Sequence, residues 1–107
     1  DINKSFILET IVYNELKSRN YKIYVGKTHK GEVDFVIFDG KKKCYIQVCY
    51  LLASEEIIRR EFDAFLSIKD ACPRFVFSLD TLNFSRDGIT HINIRDFLTH
   101  KKELLLL

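Results

Sequence analysis

Three oxygen-bearing side chains lie where the sequence is otherwise apolar. Asp34 directly precedes the apolar run 35–38, Gln47 interrupts the apolar run 45–52, and Glu9 falls on the apolar side of the first predicted helix. A polar group in such surroundings costs free energy unless it is paired or bound to a metal ion. Carboxylate and amide oxygens are the ligands that Mg²⁺ and Mn²⁺ prefer, and a metal ion held there can activate water for attack on a phosphoryl group.

The same three groups have a purely structural alternative. Buried polar groups in proteins are generally hydrogen-bonded, so these side chains could instead satisfy backbone groups or basic partners such as Arg59 or Lys43. Sequence spacing does not separate a metal site from such pairing, and both interpretations stay open at this point.

A second candidate surface is basic. Residues 1–49 carry nine Lys and Arg against six acids, whereas residues 50–107 carry eight against nine. Contact with nucleic-acid phosphates would need such a local excess of positive charge. The alternative is an ordinary solvated turn face. The candidate contact residues are Lys22, Lys27, Lys30, Lys41, Lys42 and Lys43.

The histidines and cysteines suggest no further chemistry. No acid–nucleophile pattern surrounds His91 or His100, and a Gly-x-Ser-x-Gly element is absent, so a hydrolase triad is not predicted. The cysteines are odd in number and lack CxxC spacing, which favours neither a disulfide framework nor a zinc site. We therefore expect a reduced, cytoplasmic chain in which these thiols act as small apolar groups.

The elements that must position these side chains follow the order α-β-β-β-α-β-β-α. The helix between the third and fourth strands is the crossover that a parallel pair requires. This order predicts a mixed sheet flanked by helices, an α/β architecture. The predicted elements are a helix capped by Asn3, strands over 21–25, 32–38 and 44–50, a helix capped by Ser54, strands over 74–79 and 89–92, and a helix opened by Asn93.

Length and composition exclude several classes of protein. The chain has 107 residues, of which 47% are hydrophobic, with a net charge of +2. These values fit one folded domain and exclude a disordered chain. No apolar run reaches the roughly 18 residues of a membrane span, so no membrane partner is expected. The four leucines at 104–107 are expected to pack against the last helix or a neighbouring chain.

One set of segments points to a family. It consists of FILETIVYNEL (6–16), VGK (25–27), EVDFV (32–36), YIQV (45–48), REF (60–62) and FSLD (77–80). This set covers nearly the whole chain and resembles the domain that follows the ATPase module in many prokaryotic AAA+ ATPases. That domain is similar to the PD-(D/E)XK nuclease superfamily, whose α-β-β-β-α-β core (the restriction-endonuclease-like fold) matches the predicted order with one strand and one helix added. The resemblance implies a single nuclease-like domain over 1–107, excised from the C-terminal part of a longer ATPase.

The resemblance also assigns roles to individual residues. The helix acid of the superfamily falls on Glu9, the motif Asp on Asp34, the second acid on Gln47 and the Lys on Cys49. It implies that Glu9, Asp34 and Gln47 hold Mg²⁺ or Mn²⁺, with a metal-bound water attacking a DNA phosphodiester. A thiol at the Lys position supplies no positive charge at neutral pH. Cys49 therefore favours a catalytically decayed site.

Two functions remain open on these grounds. The first is a nuclease-like domain of a AAA+ ATPase, active or decayed, that acts on or binds DNA. The alternative is a non-catalytic regulatory or protein-docking module of the same ATPase. The expected partners are the ATPase module in the same chain and DNA, with a homo-oligomer formed through the ATPase or through the leucines at 104–107.

Overall fold

A computed structural model describes residues 2–26 and 33–107. The order of its elements confirms the predicted α-β-β-β-α-β-β-α succession. The elements are α1 (Ile2–Ser18), β1 (Lys22–Tyr24), β2 (Phe35–Asp39), β3 (Lys42–Val48), α2 (Glu55–Asp63), β4 (Arg74–Ser78), β5 (Thr90–Asn93) and α3 (Ile94–Leu98).

The five strands form one mixed sheet in the order β1-β2-β3-β4-β5. β1, β2 and β3 are antiparallel neighbours, whereas β3, β4 and β5 run parallel. Gly40 has a φ of 63° in the tight turn between β2 and β3, a conformation that glycine adopts without steric cost. α2 supplies the crossover from β3 to β4. The α/β class with helices on a mixed sheet is thus confirmed.

Each face of the sheet covers its own apolar cluster, because successive side chains of a strand point to opposite faces. Along β3, Cys44, Ile46 and Val48 join a cluster that includes residues of α1 and α3. Tyr45 and Cys49 join a second cluster with Ile58, Phe62 and Phe65 of the α2 region. Gln47 shares the parity of Tyr45 and Cys49 and therefore lies on the α2 side.

Local capping signals located two of the three helices. Ser54 Oγ accepts a hydrogen bond from Ile57 N at 3.2 Å, and Asn93 Oδ1 accepts one from Asp96 N at 3.1 Å. The proposed cap Asn3 is wrong, because α1 already begins at Ile2. Every helix in the described part of the chain is too short or too polar to cross a bilayer.

The C-terminal leucines lie on the protein itself. Leu106 is buried in the α1/α3 cluster, and Leu107 exchanges two backbone hydrogen bonds with Lys43 at the start of β3, at 3.0 and 3.2 Å. The expected packing in the region of the last helix is therefore found for Leu106. Leu105, in contrast, is 60% exposed.

Candidate functional site

Asp34 and Gln47 meet at one end of the β2–β3 pair. Phe35 is opposite Ile46 in the antiparallel register, which brings the preceding and following residues together. Asp34 N donates to Gln47 Oε1 at 2.9 Å, and Val48 N donates to Asp34 Oδ2 at 2.7 Å. The two side chains thus bind backbone N–H groups of each other's strand. The basic partners considered from the sequence are not involved in these bonds.

Glu61 of α2 joins this pair, although the sequence analysis assigned it no role. The Gln47 side chain is close enough to Glu61 to lower the pKa of its carboxyl. Burial raises the pKa of Glu61 above its ordinary value of 4.5, and the charge of Glu9 raises it further. Arg60, whose Nε lies 3.5 Å from Glu61 Oε2, opposes this shift. The available signal was a carboxylate three residues after the buried Ile58, on the apolar stripe of α2.

Glu9 lies on the other side of the same region, on α1. It lines a small cavity of about 200 Å³, and its charge acts on Glu61. The remaining lining residues are largely apolar: Phe6, Thr10, Tyr13 and Phe35. The structure therefore brings Glu9 towards the Gln47–Glu61 pair. No group of three or more His, Cys, Asp and Glu side chains within residues 2–26 and 33–107 is arranged to hold a metal ion.

Cys49 is a buried, neutral thiol. Its backbone N–H donates to Phe77 O at 2.9 Å, which holds it between β3 and β4. Burial raises the pKa of Cys49 to about 12, and the negative charges of Glu61, Asp80 and Asp34 add to this shift. The position that the resemblance assigns to a lysine thus carries an uncharged group in an apolar cluster, where the charges of nearby carboxylates outweigh that of Arg60.

The described candidate lysines lie at the far end of the strands. Lys41 lies in the β2–β3 turn, Lys42 is the first residue of β3, and Lys22 of β1 lies opposite Phe38 of β2. Gln47 is five residues further along β3 than Lys42, a distance of about 17 Å. Lys43 Nζ lies 2.9 Å from Asp70 Oδ2. The remaining two candidates, Lys27 and Lys30, lie outside the described residues, as does the predicted start of β2 at residue 32.

A buried polar network at the ends of β4 and β5 was missed by sequence reasoning. Ser78 Oγ lies 2.7 Å from Asp80 Oδ2 and 2.7 Å from His91 Nε2. His91 Nδ1 accepts the Phe84 N–H at 3.2 Å, so the ring proton is on Nε2 and is donated to Ser78, whose hydroxyl donates to Asp80. Asp80 Oδ2 also accepts the Leu52 N–H at 2.7 Å.

This network gives His91 a hydroxyl and an acid nearby in space, although the sequence shows no acid–nucleophile pattern around it. In a hydrolase triad the histidine lies between the acid and the serine. Here Ser78 lies between Asp80 and His91, and its hydroxyl proton already points at a carboxylate. The arrangement joins the β4–β5 loop to the sheet and does not activate a nucleophile.

Comparisons with known proteins match most of the chain. A family model described as "Domain of unknown function (DUF4143)" matches residues 4–97. An uncharacterized protein of Methanocaldococcus jannaschii is 37% identical over 99 residues, covering 88% of this chain and 22% of that protein. An uncharacterized protein of Haemophilus influenzae is 32% identical over 92 residues, covering 85% and 22%. The chain thus spans about a fifth of the length of these curated relatives. No solved structure matches it significantly.

Proposed function

We propose that this chain, which belongs to the DUF4143 family of domains of unknown function, is a catalytically decayed nuclease-like domain of a AAA+ ATPase. The proposal rests on the chain's own side chains, because the family description assigns no function. In this proposal the domain serves the ATPase as a non-catalytic binding module. It contacts its partners without cleaving phosphodiesters.

The nuclease-like part of the proposal is supported by the order and direction of the elements. One helix, three antiparallel strands, a crossover helix and a parallel strand agree with the core order that the resemblance implies. β5 and α3 extend this core at its parallel edge. Asp34 and Gln47 meet at the position where the superfamily motif would place its acids.

The decayed part of the proposal depends on Cys49. Phosphoryl transfer develops negative charge on the phosphate oxygens, and enzymes stabilise that charge with positive groups. Cys49 offers a neutral thiol at the Lys position, and its neighbours Glu61, Asp80 and Asp34 add negative charge. A phosphate entering this site would be repelled by these carboxylates, and the cation whose charge opposes them at Cys49 is Arg60, which is paired with Glu61.

The proposed metal ligands do not form a convincing donor set. Asp34 Oδ2 and Gln47 Oε1 already accept backbone N–H groups, at 2.7 and 2.9 Å. Gln47 also lies close to Glu61. Because the pKa of Glu61 is raised, its carboxyl binds a proton at a higher pH than an exposed carboxyl does. These contacts fit the structural alternative for the polar cluster, and the proposed binding role needs no Mg²⁺ or Mn²⁺.

The link to an ATPase is supported by the resemblance and by the size of the relatives. Both curated relatives extend well beyond the matched segment, which covers 22% of each. We expect the gene that encodes this chain to encode a P-loop of the form Gly-x-x-x-x-Gly-Lys-Ser/Thr upstream of the domain. Sequencing the complete gene tests this link, and a gene without that element would remove it.

The loss of catalysis is tested by a plasmid-nicking assay with Mg²⁺ or Mn²⁺. Wild-type protein and the Asp34→Asn variant should both nick supercoiled DNA no faster than buffer alone, because neither offers a cation at the Cys49 position. Asn keeps an oxygen that can accept the Val48 N–H, so the variant should fold, which circular dichroism checks. Metal-dependent nicking by the wild type that is lost in Asp34→Asn would contradict the proposal.

A further inference from the structure

The outer part of the sheet presents a surface of lysine and aromatic side chains, of which two are exposed and two half-buried. Ile23 and Ile37 point into the α1/α3 cluster. Their neighbours Lys22, Tyr24 and Phe38 therefore point to the other face, as does Lys43, which is adjacent to the buried Cys44. We call Lys22, Tyr24, Phe38 and Lys43 the lysine–aromatic face.

The strand register sets these four residues in a fixed pattern. Lys22 is opposite Phe38, and Phe38 is opposite Lys43, so one ring lies between two lysines on neighbouring strands. Since adjacent strands are about 4.8 Å apart, the backbones of the two lysines are separated by about 10 Å. The ring of Tyr24 meets that of Phe38 edge to face, with centroids 5.6 Å apart. Tyr24 is 50% exposed, and Phe38 belongs to neither apolar cluster.

The charge around this face is positive. Lys41 in the adjacent turn adds to Lys22 and Lys43, and Lys22 and Lys41 are exposed. Lys42 begins β3 and shares the parity of Cys44, so it points to the other face. Among the described residues, Asp39 is opposite Lys42 and Asp70 is bound to Lys43. An excess of lysines around the exposed ring of Tyr24 and the half-buried ring of Phe38 complements an anion that also carries flat apolar groups.

We propose that the lysine–aromatic face binds single-stranded nucleic acid, with bases stacked on Tyr24 and Phe38 and phosphates beside the surrounding lysines. Stacking on an aromatic side chain requires bases that are free of a duplex, which distinguishes single strands from double-stranded DNA. The lysines of this face lie towards the opposite end of β2 and β3 from Asp34 and Gln47, whereas Tyr24 is level with Val36 and Tyr45. The inference therefore goes beyond the proposed loss of catalysis and does not depend on it.

Fluorescence anisotropy with labelled oligo-dT and oligo-rU of equal length tests this inference, in a buffer containing EDTA so that no metal-dependent cleavage occurs. We expect both strands to bind, with an affinity that falls as the salt concentration rises, and a hairpin duplex of similar charge to bind more weakly. The difference between oligo-dT and oligo-rU reports the preferred sugar. Equal binding of the duplex and the single strands would overturn the stacking assignment.

Paired variants separate this face from the nuclease-like site. Tyr24→Ala should weaken binding by about 5- to 100-fold through the lost stack, whereas Tyr24→Phe should retain it. Lys22→Glu should weaken binding and reduce its salt dependence. Phe6→Ala removes a ring that is 66% exposed on α1, beside Glu9, and should leave binding unchanged. No binding by the wild type, or a loss in Phe6→Ala with none in Tyr24→Ala, would overturn the proposal.

Discussion

Two buried serine hydroxyls differ in what they contact. Ser78 Oγ bonds Asp80 and His91 at 2.7 Å each and accepts the Asp80 N–H at 3.1 Å. Ser67 Oγ is also buried, but it has no hydrogen-bond partner within the described residues. The free energy that a hydroxyl contributes depends on these contacts, because removing one leaves its partners unsatisfied.

Ser78→Ala should therefore lower the free energy of unfolding by about 1–3 kcal/mol, since it leaves buried groups of Asp80 and His91 without their partner. Ser67→Ala removes a hydroxyl of the same size and should change stability by less than about 0.5 kcal/mol or increase it. Urea denaturation followed by circular dichroism measures both. Equal losses in the two variants would show that the Ser78 network contributes nothing specific.

Individual residues also show how much of the candidate site a sequence pattern can predict. The convergence of Asp34 and Gln47 could be predicted because a short turn joins their strands and the register follows from it. Glu61 was missed because its approach to Gln47 depends on how the crossover helix α2 lies on the sheet. His91 was missed for the same kind of reason, since parallel β4 and β5 are joined by a long connection.

At the scale of elements, the C-terminal tail pairs with the free edge at the start of β3. Leu107 pairs with Lys43 on the side where β4 has not yet begun, since the β3–β4 register starts at Tyr45 and Arg74. Leu106 then points into the core beside Phe97 of α3. The segment after α3 thus extends the sheet and covers part of the core.

Leu106→Ala should lower the free energy of unfolding by about 2–5 kcal/mol, because it removes a buried side chain and leaves a cavity. Leu105→Ala is the matched control: that side chain is 60% exposed and its loss should cost less than about 0.5 kcal/mol. Thermal or urea denaturation measures the pair. A loss in Leu105→Ala as large as in Leu106→Ala would contradict this arrangement of the tail.

Across the whole molecule, opposite charges lie at opposite ends of the same strands. Among the described residues, Glu9, Asp34 and Glu61 lie near the Gln47 end of β3, with Arg60 paired to Glu61, and the lysines of the lysine–aromatic face lie near Lys42 at the other end. The modest net charge of +2 hides this separation. A polyanion would therefore be attracted to one end of the sheet and repelled from the other, as the two proposals require.

The stability of the domain should fall as the pH drops below neutrality, because of His91. Burial lowers the pKa of His91 below its ordinary value of 6.5, against the opposing charge of Asp80. Between the folded and unfolded pKa values, the unfolded chain binds a proton at His91 that the folded chain does not bind. The stabilisation is complete above pH 6.5 and is lost as the pH falls towards the lowered folded pKa, by up to about 1.4 kcal/mol per pH unit.

Urea denaturation at pH 7.5, 6.5 and 5.5 checks this prediction, with His91→Gln as the comparison. The variant should lose less stability than the wild type over this range. Glu61, whose pKa is raised, acts in the opposite direction but is present in both proteins and cancels in the difference. Parallel pH profiles for the two proteins would contradict a buried neutral His91.

The sequence alone determined the α/β class, the order of the eight elements, the caps Ser54 and Asn93 and the meeting of Asp34 with Gln47, because each depends on local periodicity, capping or a short turn. Only the tertiary structure decided that Glu61 lies near that pair, that Ser78 connects Asp80 to His91, that Cys49 is buried in an apolar cluster within reach of carboxylate charges and that the described lysines lie at the far end of the sheet. These relations bring together residues far apart in the chain. The side-chain period fixes which face a residue occupies, but the packing of a crossover helix and the order of the strands fix what it meets there.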